Sequence, residues 1–504
     1  MVHYEDMQAL ARFGHGQLKD SCFLLLNIKD RKLAGQWLQQ APVATAVSAN
    51  PIPDTALQVS FTAQGLRELG LEEKTLIQFS DEFLGGMSGD ENRSRRLGDF
   101  GQNAPDNWVW GGSDSHEIHL LLLLYAREGQ MGAYVDAICN SAFEEAFHTQ
   151  HTLPTNTLAP KEPFGFIDGI SQPLIDWQQS QRTDVHARQS YSNLLAPGEI
   201  VLGYPNEYGQ YTHSPTVDAS ADAQALLSRT TNDNQSYDFG VNGSYLVIRQ
   251  LEQDVRGFWR YMLEQSGGDA HAADDLAAAI VGRQRDGTPL IPATDTPIPG
   301  IPAARSNNHF NYNEDLHGVR CPVSAHIRRS NPRTGDFPPG VNSLWDRLVR
   351  SLGFKRRSEY EDMIASTRFH RILRRGRPYG APAAEDPIQA LAESNESSDD
   401  PQGLQFVCLT GNILRQFEFV QSAWSESAGF AGTREQRDPI LGSRAPLDNG
   451  MATDLFMRAD SRGAQCKYAS IPTFVTVRGG GYFFMPGLKA IRYLAHIASS
   501  GHQR

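Results

Sequence analysis

The sequence predicts an α+β protein made of two related halves, and three observations carry that expectation. Strand-like and helix-like stretches are mixed without the regular alternation that builds a doubly wound parallel sheet. A pattern in the first half recurs in the second: Phe23-Leu-Leu-Leu aligns with Tyr245-Leu-Val-Ile, and Leu33-Ala-Gly35-Gln-Trp37 then falls opposite Val255-Arg-Gly257-Phe-Trp259 without a gap. No G-x-G-x-x-G follows a strand, which removes a dinucleotide-binding alternative. At 504 residues the chain also exceeds what one core ordinarily organises, so length asks for two domains or a doubled unit.

In chain order, Ser21 to Ile28 is a short apolar run suited to a buried strand. Lys29 to Gln40 places Leu33, Trp37 and Leu38 at helical spacing. A second strand, Leu57 to Thr62, leads into a helix from Gln64 that stops at Gly70. Ile118 to Tyr125 reads as another buried strand and Gly132 to Phe147 as helix. In the second half, Leu404 to Leu409 is set against Leu57 to Thr62, and Phe474 to Phe484 against Ile118 to Tyr125. Gly479, Gly480 and Gly481 mark the last of these as a hairpin. The organisation is a first half over 1–160, a connecting segment over 161–240 and a second half over 241–504. The polar stretches 178–193, 218–238 and 384–402 are expected as surface loops, and 425–470 as a long irregular loop suited to a lid or an assembly surface.

A net charge of -12 argues against a nucleic-acid or anionic-membrane partner. The five cysteines are an odd number, widely spaced and without a C-x-x-C pair, the pattern of free thiols in a reducing compartment. Met1-Val-His-Tyr-Glu-Asp6 lacks the basic and apolar regions of an export signal, and the apolar run around Leu120 to Leu124 is too short to span a membrane. The expectation is a cytoplasmic protein, monomer or homodimer.

Four stretches carry chemistry. In Gly165-Phe-Ile-Asp-Gly-Ile-Ser-Gln-Pro173, Asp168 stands between glycines in an apolar setting, either as the cap of a turn or as a working acid in a dry site. In Cys321-Pro-Val-Ser-Ala-His-Ile-Arg-Arg-Ser-Asn-Pro-Arg333, His326 precedes Arg328, Arg329 and Arg333. It is either a histidine on a solvated basic face or an iron ligand beside cations that suit an anionic cofactor. Arg374 follows an apolar pair and precedes a Gly/Pro turn, which would aim a cation into a pocket, while Arg371, Arg375 and Arg377 read as a surface basic patch. Leu404 and Phe406 share one strand face, as core or as the dry wall of a cofactor site. Glu418, in an apolar helix, is either a paired buried acid or the partner that orients a ligating histidine. His148 and His151 have spacing that could bring both rings to one helical face, but no glutamate follows in the zinc-protease sense, and they read as surface histidines.

Together with Phe13-Gly-His-Gly-Gln-Leu-Lys19, His119-Leu-Leu-Leu-Leu-Leu-Tyr-Ala126 and Phe474 to Phe484, these stretches resemble the dye-decolourising peroxidases over nearly the whole chain, in its larger, more elaborated members. The resemblance implies two ferredoxin-like halves, each an antiparallel sheet with peripheral helices, and one haem b held in the second half. It implies a haem peroxidase that reduces hydrogen peroxide and oxidises dyes, phenols or similar organic donors by one-electron steps. Asp168 falls on the distal aspartate that shuttles a proton, Arg374 on the distal arginine that stabilises charge on the peroxide, and His326 on the proximal iron ligand. Leu404 and Phe406 match the distal apolar pair, Gly169 belongs to the same cofactor-binding loop as Asp168, Arg333 matches a propionate partner and Glu418 the acid behind the proximal histidine. A different class, a haem-binding or haem-delivery protein with little turnover, would keep His326 but need neither Asp168 nor Arg374.

Overall fold

A computed structural model describes residues 2–113, 117–179, 193–222, 224–230, 235–291, 307–333, 366–393, 400–460 and 463–500. The first half is built on β1 (Asp20–Ile28), α1 (Arg31–Gln40), β2 (Thr55–Phe61), β3 (Leu120–Ala126), α2 (Met131–Ile138), α3 (Ser141–Ala146) and β4 (Phe147–Pro154). Asp30 caps α1 by accepting the Leu33 N–H at 2.8 Å, and the helix then turns Trp37 inward, edge-on to Phe143 and Phe147. The unbroken leucine run of β3 is explained by cores on both faces of the sheet, Leu120, Leu122 and Leu124 in one and Leu121, Leu123 and Tyr125 in the other. The helix expected over 132–147 is interrupted. Asn140 caps a new turn by accepting the Phe143 N–H, and Phe147 already begins β4. His148 and His151 therefore sit on a strand, not on a helical face.

The second half comprises β5 (Ser244–Gln253), α4 (Val255–Gln265), α5 (Ala270–Val281), α6 (His326–Ser330), β6 (Leu373–Arg374), β7 (Arg377–Tyr379), β8 (Gly403–Thr410), β9 (Val475–Met485) and α7 (Leu488–Ser500). All nine strands form one antiparallel sheet in the order β6-β8-β5-β9-β2-β3-β1-β4, with β7 also on β8. Within it lie two ferredoxin-like units, β4-β1-β3-β2 and β9-β5-β8 with β6 and β7, joined where Phe484 meets Phe61. The Asn156 N–H donates to the Pro378 carbonyl at 2.8 Å, which brings the two ends of the strand order together.

The doubled α+β architecture is as expected, but two of the strand correspondences change. β1 and β5 are equivalent, whereas β8 lies beside β5 as β3 lies beside β1, so Leu404 to Leu409 matches β3 and not β2. β9 then matches β4. The shared Gly and Trp are equivalent in place and different in cause. A Cβ on Gly35 would stand 2.8 Å from the Ala495 carbonyl, because α7 crosses back to lie on α1, while at Gly257 it would meet the capping carboxylate of Asp254.

Gly479, Gly480 and Gly481 do not make a hairpin. β9 runs straight through them, with a register shift opposite Gln250 and Leu251. The fully buried Trp110 lies on Gly479, its Nε1 donating to Gln250 Oε1 at 2.8 Å, and the glycines clear space for that indole. The 425–470 stretch is also more ordered than a loop, since Phe456–Ala459 pairs with Gln465–Tyr468. In 384–402, Pro387–Glu393 is helical, and residues 394–399 lie outside the described residues. The 218–238 stretch contributes to a small three-stranded sheet, and residues 180–192 of the 178–193 stretch are likewise outside the description. No helix among the described residues is long and apolar enough to cross a membrane.

A Cβ at position 479 would lie 2.4 Å from Trp110 Nε1. Gly479→Ala is expected to overpack this contact and destabilise the fold by about 1–3 kcal/mol, read as a lower urea midpoint with unchanged slope. An unchanged midpoint would show that the indole can retreat without cost.

Candidate active site

The site begins where the chain leaves β4. Glu162 accepts the N–H groups of Phe164 and Phe166, each at 3.0 Å, and an amide hydrogen of Gln253 at 2.9 Å. Burial pushes this carboxyl up to about 7, against the bonds from Gln253, Phe166 and Phe164, which favour its charged form. The loop it ties then reverses at Gly165 (φ 95°) and Gly169 (φ 82°), a left-handed backbone that favours glycine at both positions. Between them Asp168 is fixed by its own N–H, donated to Pro160 O at 3.1 Å, and its carboxylate opens on a cavity.

Arg374 reaches that carboxylate, Nη1 to Oδ1 at 2.9 Å. It sits on β6 opposite Cys408 of β8, so its side chain shares a face with Leu404 and Phe406 by the alternation of the strand. Those two side chains are half-buried while Gly403, Gln405 and Val407 between and beside them are buried, as expected of a wall facing open space. A cavity of about 800 Å³ is lined by Asp168, Gly169, Gln172, Trp177, Asn308 and Arg375 among others, and it meets Leu373 of β6 and Arg375 just beyond it, on either side of Arg374.

α6 opens with His326. Its Nδ1 lies 2.9 Å from Asp438 Oδ2, and Nε2 has no partner among the described residues. Desolvation lowers the imidazole pKa, but the Asp438 carboxylate outweighs it and holds the ring above its ordinary value. The charge of Asp168 also favours the protonated ring, and that of Arg374 opposes it. Asp168 itself is 46% exposed. Desolvation would raise its pKa, but Arg374, the Gly169 N–H and more distantly His326 lower it further, and the net direction is down.

Sequence reasoning misplaced the acid behind His326. Glu418 instead accepts the Tyr482 hydroxyl at 2.9 Å and pairs with Arg93 at 3.0 Å and Arg96 at 3.5 Å. Asp438 takes the role, and its other oxygen accepts the N–H groups of Ile440 and Leu441 at 2.8 and 3.0 Å. It lies within the stretch expected to be irregular, and its signal was an aspartate before proline, a turn-forming pair. The basic cluster after His326 is spent internally: Arg328 pairs with Asp315, and Arg329 donates to backbone carbonyls that include Ser427 O. Arg333, 1% exposed, donates to the Asn308 and Phe310 carbonyls, each at 2.9 Å, and to Asn308 Oδ1 at 2.7 Å. Arg371 and Arg377 are buried, not a surface patch.

No protein-family model matches the chain. It is 29% identical over 468 residues to the dye-decolorizing peroxidase msp1 of Mycetinis scorodonius, covering 90% of this chain and 78% of that one. It is 30% identical over 459 residues to peroxidase 2 of the same organism, covering 87% and 76%. The chain belongs to the dye-decolorizing peroxidase family. The crystal structure of a decolorizing peroxidase from Auricularia auricula-judae shares the fold, with a TM-score of 0.71 at 24% identity over 98% of this chain and all of that one. As a member of the family the protein is a peroxidase that oxidises dyes, and membership implies a haem cofactor, hydrogen peroxide and an organic donor.

Arg374 opposes desolvation at Asp168, so its removal has a defined sign. In Arg374→Leu the Asp168 carboxyl is expected to titrate above the usual carboxylate value of about 3.9, where the native group titrates below it. Infrared titration of the protein carrying ¹³C-labelled aspartate, with Asp168→Asn to assign the band, reads this directly. An unmoved band would show that the guanidinium is not the controlling charge.

Proposed function

We propose that the protein is a haem b peroxidase in which His326 holds the iron and the Asp168–Arg374 pair works on hydrogen peroxide opposite it. One observation carries this reading: Asp438 occupies Nδ1 of His326 and leaves Nε2 without a partner among the described residues, while the charges of the paired Asp168 and Arg374 act on the same ring. A histidine ligand oriented by a carboxylate on its other nitrogen is the arrangement that fixes the tautomer and raises ligand basicity. The half-buried faces of Leu404 and Phe406 suit a flat apolar cofactor. Arg333, bound to Asn308 and Phe310, would serve a cofactor by bracing that segment. Haem supplies the iron-centred redox chemistry, including the two electrons that the oxygen left behind by O–O cleavage lacks.

The remaining steps belong to the chain's own residues. Asp168 is lowered in pKa and therefore charged at rest, so it takes a proton from one oxygen of hydrogen peroxide. It delivers that proton to the other oxygen, and the O–O bond breaks heterolytically with its electron pair departing in water. Arg374 stabilises the negative charge that develops during cleavage, where preorganised electrostatics acts most strongly. Leu404 and Phe406 limit water on this side. Single electrons then come from dyes, phenols or similar donors.

Two outcomes test the reading. With haem loaded, His326→Ala is expected to lose the bound-haem spectrum, while Asp168→Asn and Arg374→Leu keep it and lose reaction with peroxide by at least about a hundredfold. Full haem binding by His326→Ala would remove the ligand assignment. The lowered pKa of Asp168 also sets the pH dependence. Because the ionised carboxylate takes the first proton, dye oxidation should hold its rate down to about pH 4 and fail only as Asp168 protonates below that. A steady rise from about pH 4 to 8 would exclude Asp168 as the shuttle.

A further inference from the structure

We propose that Gln172 is the positioning residue that locks Asp168 and Arg374 into one unit, an assignment that rests on the peroxidase reading above. The ion pair is partly open, Arg374 29% and Asp168 46% exposed, and two solvent-accessible polar side chains do not hold a reactive geometry by themselves. Gln172 is four residues beyond Asp168 in the same loop, and its side chain grips the backbone of Arg374 at two points. Oε1 accepts the Arg374 N–H at 3.1 Å, and Nε2 donates to the Arg374 carbonyl at 3.1 Å. Only one orientation of the amide satisfies both partners, which fixes the side chain.

The grip falls where the sheet has no further strand among the described residues. β6 pairs with β8 along one edge, and the primary amide of Gln172 stands in for a neighbouring strand at the other. Arg374 thus has its peptide groups held from both sides while its guanidinium meets Asp168. The main chain beneath it is braced in turn: the Gln172 backbone carbonyl accepts Asn308 Nδ2 at 3.3 Å, and Asn308 Oδ1 accepts Arg333 Nη2 at 2.7 Å. The loop next to it is tied by Arg283 Nη2, which donates to Ser171 Oγ at 3.0 Å. A donor and an acceptor on one planar group at this reach are offered by glutamine and by protonated glutamic acid. Asparagine is one methylene shorter.

That chemistry supplies the test, made on haem-loaded protein. Gln172→Ala is expected to keep haem and lose peroxide reactivity by about ten- to a hundredfold, the cost of a misplaced catalytic group, with the Asp168 infrared titration moved upward as Arg374 loosens. Gln172→Glu gives a signature that a bulk folding defect would not. Protonated glutamic acid restores both bonds, whereas the ionised form sets an oxygen against the Arg374 carbonyl. This variant should therefore react near the native rate at about pH 4 and fall about tenfold by pH 7, as a carboxyl of ordinary pKa ionises. It also decides the matter should Gln172→Ala not fold. A native rate in Gln172→Ala, or a Gln172→Glu rate that is native at every pH or equally impaired at every pH, overturns the assignment. Asp168→Asn and Arg374→Leu run alongside. Native reactivity in those two removes the underlying peroxidase reading, while impaired controls beside a native Gln172→Ala remove the Gln172 assignment alone.

Discussion

The contact between Asp168 and Arg374 joins two residues 206 positions apart in the chain, and the functional geometry depends on it. Its own strength does little to secure it. A pair this open to solvent contributes on the order of 0–1 kcal/mol, too little to set the relation of a connecting loop to an edge strand. The geometry is imposed from behind, on backbone. Glu162 takes up two N–H groups just before the motif, Gly165 and Gly169 allow the chain to reverse on either side of Asp168, and the amide of Gln172 meets the main chain of Arg374. The charged atoms stay partly exposed while the peptide groups beneath them are engaged in hydrogen bonds.

The connecting segment that carries Asp168 is fastened to the second half by stronger means. Glu199 accepts Arg415 Nη2 at 2.6 Å, Glu207 accepts Arg368 Nε at 2.8 Å, and the Glu207 N–H donates to Glu199 at 3.0 Å. Both carboxylates are buried, as is Arg368. Removing one member of such a buried pair typically costs about 3–5 kcal/mol, because the other charge is left without compensation. These pairs stake the segment against the strands and helices of the second half. The weak pair in the cavity can then be positioned by small tolerances in the loop that follows from it.

What the sequence revealed follows the range of the interactions. The strands Ser21 to Ile28 and Ile118 to Tyr125 were readable within a residue or two at their C-terminal ends because apolar runs and turn residues are local signals. The wrong strand correspondences came from aligning by hydrophobicity, which cannot tell β3 from β2 when both are buried, whereas position in the sheet can. The glycines of β9 were taken for a turn because the indole of Trp110, hundreds of residues earlier, leaves no trace beside them. Asp438 was missed for the same reason. Nothing near it in sequence marks it as the partner of His326, and Glu418, in a more ordered-looking stretch, had a buried partner of its own in Tyr482.

The repeat shows how two equivalent sheet faces come to differ among the described residues. β3 and β8 occupy equivalent positions, and the side chains of Leu120, Leu122 and Leu124 on one are fully buried while Leu404 and Phe406 on the other are half-buried. The difference lies in the helices. The first half covers its face with α1, α2 and α3 and receives α7 as well, which lies on α1 through the bare backbone of Gly35. The C-terminal helix follows β9 of the second half in sequence but packs with the first, so the second half gives up a helix that could have sealed its own sheet. Two copies of one architecture thereby differ in a single packing decision, and the face left open is the one that Arg374, Leu404 and Phe406 line.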